Sequence, residues 1–276
     1  MAFSMITNIS SLVARRNLDK TTVKLSESIE RLSSGLRINR ASDDAAGLAI
    51  GTKLKAHIRS LNRAKLNSND AVSMIQTAEG ALTEVAGLLN RMRELSVQAS
   101  TSGTLTTADR SSLNVEFQTL ESEIDRITNV TQYNDRILLN GSLSSGVSFQ
   151  VGIMNTTSDR VSLTLSSAYT SVIGTSSASI TTATQAALAI TRVDSAISKV
   201  SARRSTLGAA QNRLSTTIAV VESIYENTTT ARSRMMDTDV AEETTLLARN
   251  QILLQAGASV LAQANQMPAM ALTLLR

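Results

Sequence analysis

The residues able to do chemistry are few in this 276-residue chain. His57 is the only histidine, and it stands between Lys55 and Arg59 on a helix-patterned stretch. A catalytic base needs a partner that orients it. A lone imidazole flanked by cations reads as a surface side chain instead. Asp43 and Asp44 are adjacent carboxylates, but the Ala-Ala-Gly that follows lacks the spaced oxygen ligands of a calcium loop, so helix capping is the better account. Cysteine is absent, which removes disulfides, thiolate metal sites and thiol nucleophiles together. Phosphate-cradling glycine loops and nucleophile elbows are missing too. The chain is therefore read as a non-enzyme, with no catalytic, cofactor-binding or metal-binding residues. Met235, Met236, Met267 and Met270 carry adaptable thioethers. The last two lie in a segment that is apolar all round and read as part of a binding surface.

What remains is packing. Aromatics are 2% of the chain and proline occurs once, so the core must come from Leu, Ile, Val, Met and Ala on long uninterrupted helices. The net charge of +4 comes from cations interspersed with acids, and no basic run alternates with aromatics, so no nucleic-acid partner is expected. Apolar positions at helical spacing begin at Ile6 and Ile9. A first long helix is followed from Leu18 through Leu25, Ile29, Leu32 and Leu36, with its stop at Ser33-Ser34-Gly35. Residues 36–47 form a turn-rich connector.

A second helix is predicted over 45–99. Its seam is Leu54, Ile58, Leu61, Ala64, Ser68, Val72, Ile75, Ala78, Leu82, Val85, Leu89, Met92 and Leu95. Alternating steps of three and four over that length imply supercoiling against another long helix. A loop at 100–108 and a third helix at 109–130 follow, the latter with the stripe Leu113, Phe117, Leu120, Ile124 and Ile127. Strand signals come next. Arg136–Leu139 ends at Asn140-Gly141, a strong turn dipeptide, and apolar residues alternate at Phe149, Val151, Ile153 and at Val161, Leu163, Leu165. The Ser/Thr-rich run 166–184 reads as a loop or surface crossing. A return helix over 183–230 carries Ile190, Val193, Ile197, Val200, Leu207, Leu214, Ile218, Val221 and Ile224, and final helices run through 235–267.

The expected fold is mainly α: long antiparallel coiled-coil helices, paired N- and C-terminal helices, and a small β-hairpin at about 136–165. Two domains are expected, one discontinuous (1–44 with 231–276) and one at 45–230, with its tip at about 166–184. Pairing 1–35 with 235–267 is expected to bury both ends. The C-terminal segment has no charge from Ile252 to Leu275 and is helix-patterned up to Pro268. Gln255, Gln263, Asn265 and Gln266 argue against a bilayer span or membrane anchor. MAFSMITNISSLVARR lacks the layout of a secretory signal and is not read as one. Chain ends are normally frayed and polar. Two apolar ends predict a partner, most simply other copies of the same chain.

Four ordered stretches carry a family resemblance. ERLSSGLRINRASDDAAGLAI (30–50) resembles the N-terminal signature of bacterial flagellins, with Arg40 and Ser42 departing from the commonest pattern. NRMRELSVQAS (90–100), SEIDRITNVTQYNDRILLNG (122–141) and the C-terminal run from Ser233 to Arg276 resemble that family as well. The resemblance implies a short form without large outer domains, self-assembling into an extracellular helical flagellar filament for swimming. It implies a filament-core contact set of Ile6, Ile9, Leu18, Leu25, Ile29, Leu32, Ile252, Leu253, Val260, Leu261, Met267, Leu272 and Leu275. It also implies an export chaperone on the C-terminal segment, type III export without a cleaved signal peptide, and hook-associated and cap proteins as partners. Arg91, Leu95 and Glu116 fall on positions resembling those that contact a vertebrate Toll-like receptor, and 30–51 resembles a peptide sensed by plant receptors. Two other readings are a hook–filament junction protein of the same axial family and a soluble coiled-coil scaffold. Neither accounts equally well for complete terminal motifs and two apolar ends.

Overall fold

The computed structural model describes residues 7–274, with side chains described up to 267. Helix α1 spans Ile9–Ser34. It starts earlier than Leu18 because the Asn8 side chain accepts the Ser11 N–H at 3.0 Å and caps the first turn. It stops at Gly35, which takes the left-handed conformation (φ 69°) and donates its N–H to the Arg31 carbonyl at 2.8 Å. In the connector, Asp43 accepts the backbone N–H groups of Arg40 and Asn39 at 2.9 and 3.0 Å. Those two bonds, Arg40's first, hold its carboxyl below the ordinary range. Asp44 accepts the Gly47 N–H at 2.8 Å and starts α2, Ala45–Ser100.

The chain divides into two compact units, Met1–Ile58 with Asn227–Arg276, and Arg59–Glu226. In the second, the α2 seam is buried from Leu61 to Leu95, except that Val72 is only half-buried and Ala71 takes the inward position. Helix α3 (Thr107–Val130) is opened by a reciprocal cap between Thr106 and Asp109, and buries Phe117 and Ile124. Helix α5 (Ala183–Met236) runs past the expected end at 230. Ion pairs Lys65–Glu222 (2.6 Å), Glu79–Arg204 (3.9 Å) and Arg93–Asp194 (2.7 Å) run in opposite senses along α2 and α5, which are antiparallel. Val193, Val200, Leu207, Leu214 and Val221 face inward, while Ile224 is exposed.

The strand region differs from expectation in two ways. The single hairpin over about 136–165 is instead two. One pairs β1 (Gln132–Tyr133) with β2 (Arg136–Ile137), and the other pairs β3 (Val147–Gln150) with β4 (Arg160–Leu163), Phe149 opposite Val161. The tight turn is Asn134-Asp135, both at positive φ (49° and 61°), as a two-residue hairpin of the primed type requires. Asn140-Gly141 lies beyond the strand, where the Asn140 side chain accepts the Ser142 N–H at 2.9 Å. The run 166–184 is also no surface crossing. Ala168, Thr170, Ile173, Thr175, Ala178 and Ile180 are buried around a one-turn helix, α4 (Thr170–Ile173). Asp125 accepts the Thr170 N–H and hydroxyl, both at 2.9 Å, Lys199 donates to the Ile173 carbonyl at 2.9 Å, and Asn114 accepts the Ile180 N–H at 3.0 Å. These side chains satisfy the backbone of an irregular buried segment.

Helix α6 spans Val240–Leu274 and passes through Pro268 without ending there.

Candidate self-association surface

The site is the α1–α6 pair of the first unit. Contacts fix the two helices antiparallel: Asn8 donates to the Ala264 carbonyl (2.7 Å), the Ser11 hydroxyl to Asn265 (2.7 Å), and Arg31 lies 3.7 Å from Glu243. A Cβ added at Gly257 would stand 3.3 Å from Leu18 Cδ1. The inward positions of α1 are Ser11, Ala14, Leu18, Thr21, Leu25, Ser28 and Leu32, and those of α6 are Glu243, Leu247, Asn250, Leu254, Gly257, Leu261 and Ala264. Both sets alternate steps of three and four, the spacing of a coiled-coil seam. From Leu18 on α1 and along α6 from Leu247 to Leu261, each heptad gives the seam one leucine, and the other position is small or polar.

The pairing therefore buries a narrow stripe, not both ends as expected. Helix α6 carries a second stripe at strict seven-residue spacing: Leu246, Leu253, Val260 and Met267, all exposed, with Ile252 beside it at 66% exposure. Helix α1 likewise exposes Ile9, Leu12, Val13, Val23 and Ile29. No Lys, Arg, Asp or Glu interrupts α6 between Arg249 and its end. Of the expected contact set, Leu18, Leu25, Leu32 and Leu261 are half-buried in the seam, whereas Ile9, Ile29, Ile252, Leu253, Val260 and Met267 are exposed. Ile6 and Leu275, and the side chain of Leu272, lie outside the described residues. Sequence reasoning missed Leu246, Leu12, Val13 and Val23. The heptad step from Leu253 back to Leu246 was the available signal.

In the second unit the expected receptor trio is brought together but is not equally available. Arg91 donates to Glu116 at 2.9 Å and to Glu94 at 3.0 Å, all three on the surface. These hydrogen bonds, Glu94's first, raise the Arg91 guanidinium further above its ordinary range. Leu95 is corrected: at 0% exposure it belongs to the core and presents nothing to another protein. His57 is half-buried on α2, and among the described residues no group of acidic or histidine side chains could hold a metal ion. No described helix is long and apolar enough to cross a membrane.

One long antiparallel helical pair, and a terminal pair that leaves an apolar stripe partly uncovered, define a self-associating structural protein of the helical axial type. The comparisons give it a family. The bacterial flagellin N-terminal helical region matches residues 5–144, and the bacterial flagellin C-terminal helical region matches 190–275. Flagellin of Halalkalibacterium halodurans is 46% identical, covering 98% of each chain, and flagellin of Bacillus subtilis is 40% identical, also covering 98% of each. The crystal structure of Bacillus cereus flagellin superposes with a TM-score of 0.50 and 29% identity over 56% of this chain and 88% of that one. The chain belongs to the bacterial flagellins. It is a structural subunit of the flagellar filament, which is extracellular, and not an enzyme.

Proposed function

We propose that filament assembly is driven by the exposed faces of α1 and α6, with Ile9, Ile29, Ile252, Leu253, Val260 and Met267 meeting neighbouring subunits. On this reading the discontinuous terminal domain (1–44 with 231–276) forms the filament core, and 45–230 surrounds it. The observation that carries it is the Leu246–Met267 stripe, four large apolar side chains in heptad register that are 36–53% exposed among the described residues. Exposed apolar surface of that regularity marks an interaction face. Before assembly the same uncharged segment suits an export chaperone, and passage through the flagellar apparatus needs no cleaved signal. Hook-associated and cap proteins would meet the same terminal helices at the filament ends. The exposed Arg91–Glu116 pair is the reading's candidate for a host flagellin receptor. Deleting Gln251–Arg276 tests the core assignment. Polymerisation should be lost while the residues 59–226 keep their helical signal and protease resistance. Filaments growing from the truncated subunit would overturn it.

A further inference from the structure

Arg203 on α5 is half-buried, and its Nη1 is sealed from solvent with no acceptor within hydrogen-bond distance. The neighbouring Arg204 reaches Glu79 at 3.9 Å and Arg93 reaches Asp194 at 2.7 Å, but Arg203 has no acid beside it. Burial lowers its guanidinium from the ordinary value, and no carboxylate offsets that. A guanidinium keeps its proton inside a protein, so the buried N–H needs an acceptor and the charge needs a counter-charge. Arg203 borders a cleft of about 80 Å³ floored by Leu82, Leu139 and Leu207, each at most 2% exposed. That is several times the space one water needs. Thr164 and Ser166 line it as well, just past the end of β4. They are exposed and alternate with the buried Leu163 and Leu165, so the extended period of two brings both hydroxyls to one side of the chain. Neither hydroxyl has a partner among the described residues, whereas that of Thr206, also at the cleft, donates to the Ala202 carbonyl at 3.0 Å.

We propose that this cleft is a receptor for one carboxylate group, held by the Arg203 guanidinium and by the Thr164 and Ser166 hydroxyls. The free donors set the chemistry. A guanidinium fork matches the two oxygens of a planar carboxylate, and two hydroxyls can meet the lone pairs that remain. A phosphate would bring more charge and further oxygens against the leucine floor, where no donor waits for them. The leucines instead suit the short hydrocarbon stem that an organic acid carries. Two sources present that group: an acidic side chain of a second copy of the chain, and a free small organic acid. The site lies wholly within 59–226 and does not depend on α1 or α6.

The probe is acetate, added near neutral pH to the soluble full-length chain and compared with chloride and with inorganic phosphate at equal ionic strength. The arginine Nε–H signal that is missing from the R203Q spectrum reports the site by nuclear magnetic resonance. It should shift saturably with acetate, stay in place with chloride, and respond to phosphate only at higher concentration. The double variant T164A/S166A alters two exposed positions and leaves the leucine floor intact. It should raise the half-saturating acetate concentration at least about tenfold, the worth of one or more hydrogen bonds to a charged group. Seeded elongation then separates the two sources. R203Q raises the critical concentration about tenfold where a neighbour's acidic side chain fills the cleft, and leaves it unchanged where only the free acid does. No saturable shift with acetate, an equal response to chloride, tighter binding of phosphate, or an unchanged acetate affinity in T164A/S166A would each overturn the proposal.

Discussion

Truncating the outer stripe of α6 should raise the critical concentration for filament growth without unfolding the subunit. Leu253 is 46% exposed and Val260 53% exposed, so about half of each side chain is left for a neighbouring copy to cover. Full burial of such a side chain stabilises by roughly 1.5–3 kcal/mol. The uncovered half, less the Cβ that alanine keeps, corresponds to about 0.5–1 kcal/mol at each position. The double variant L253A/V260A should therefore lose about 1–2 kcal/mol per subunit added. At 1.4 kcal/mol per factor of ten, that is a rise of about five- to thirtyfold in critical concentration. The measurement is the soluble protein remaining after seeded elongation, read by sedimentation. Alanine is the best helix former, so helicity by circular dichroism should be unchanged or slightly higher. An unchanged critical concentration with intact helicity would refute the argument, because it would mean the stripe stays wet in the filament. Equal loss from alanine at Leu247 and Leu254, which face α1, would refute it differently, by making the intrachain seam the limiting contact.

Leu95→Ala should destabilise the subunit by about 2–5 kcal/mol in chemical denaturation, because it empties a fully buried position. Arg91→Ala, which removes only two exposed ion pairs, should change stability by less than about 1 kcal/mol. The Thr106 hydroxyl and then its N–H hold the Asp109 carboxyl below 3.8. Its contribution is thus complete above the unfolded value and lost as pH falls through the lower folded one. Asp109→Asn should flatten the acid limb of the melting temperature below about pH 4 and leave the profile above it parallel to the parent. Glu121 has the opposite sign: burial, then the nearby Asp125, push its carboxyl above 4.5. Its ionisation penalises the fold at neutral pH, and the penalty fades as pH falls through the raised value. Glu121→Gln should raise the melting temperature at pH 7, and the gain should vanish on acidification. A gain that persists at low pH would mean the charge is not its origin.

The long helices were legible because burial on them is periodic and large. The α2 residues from Leu61 to Leu95 declare a 3.5-residue repeat that few other structures satisfy. The segment 166–182 was not legible, because apart from Ile173 and Ile180 its buried side chains are small: Ala168, Thr170, Thr175 and Ala178 look like a polar loop until Asp125, Asn114 and Lys199 are seen binding its backbone. Those partners are distant in sequence and carry no local pattern. The tight hairpin at 132–137 was missed for a related reason, whereas the runs around Phe149 and Val161 were legible as strands and do pair. Asn140-Gly141 has the stronger local turn chemistry, yet Asn134-Asp135 sits where the strands can pair. Pro268 was read as a helix end on a local rule that the chain does not follow at this position. The residues proposed to assemble were legible as apolar, but not as two classes. The division between seam and outer face depends on which side α1 occupies.

That division carries the physical argument for a filament. Facing α1, helix α6 alternates Leu247, Leu254 and Leu261 with Glu243, Asn250, Gly257 and Ala264, and a polar layer in a coiled coil costs stability while it limits the alternatives. Flanking that seam, it presents Leu246, Leu253, Val260 and Met267, partly exposed and with no polar layer. The chain thus spends its weaker stripe on itself and leaves the stronger one open. Had the stripes been exchanged, the subunit would satisfy itself and gain little by joining others. On the proposed reading, the apolar area that remains uncovered in one chain is removed from water when another copy covers it, so its burial contributes to assembly and not to the monomer.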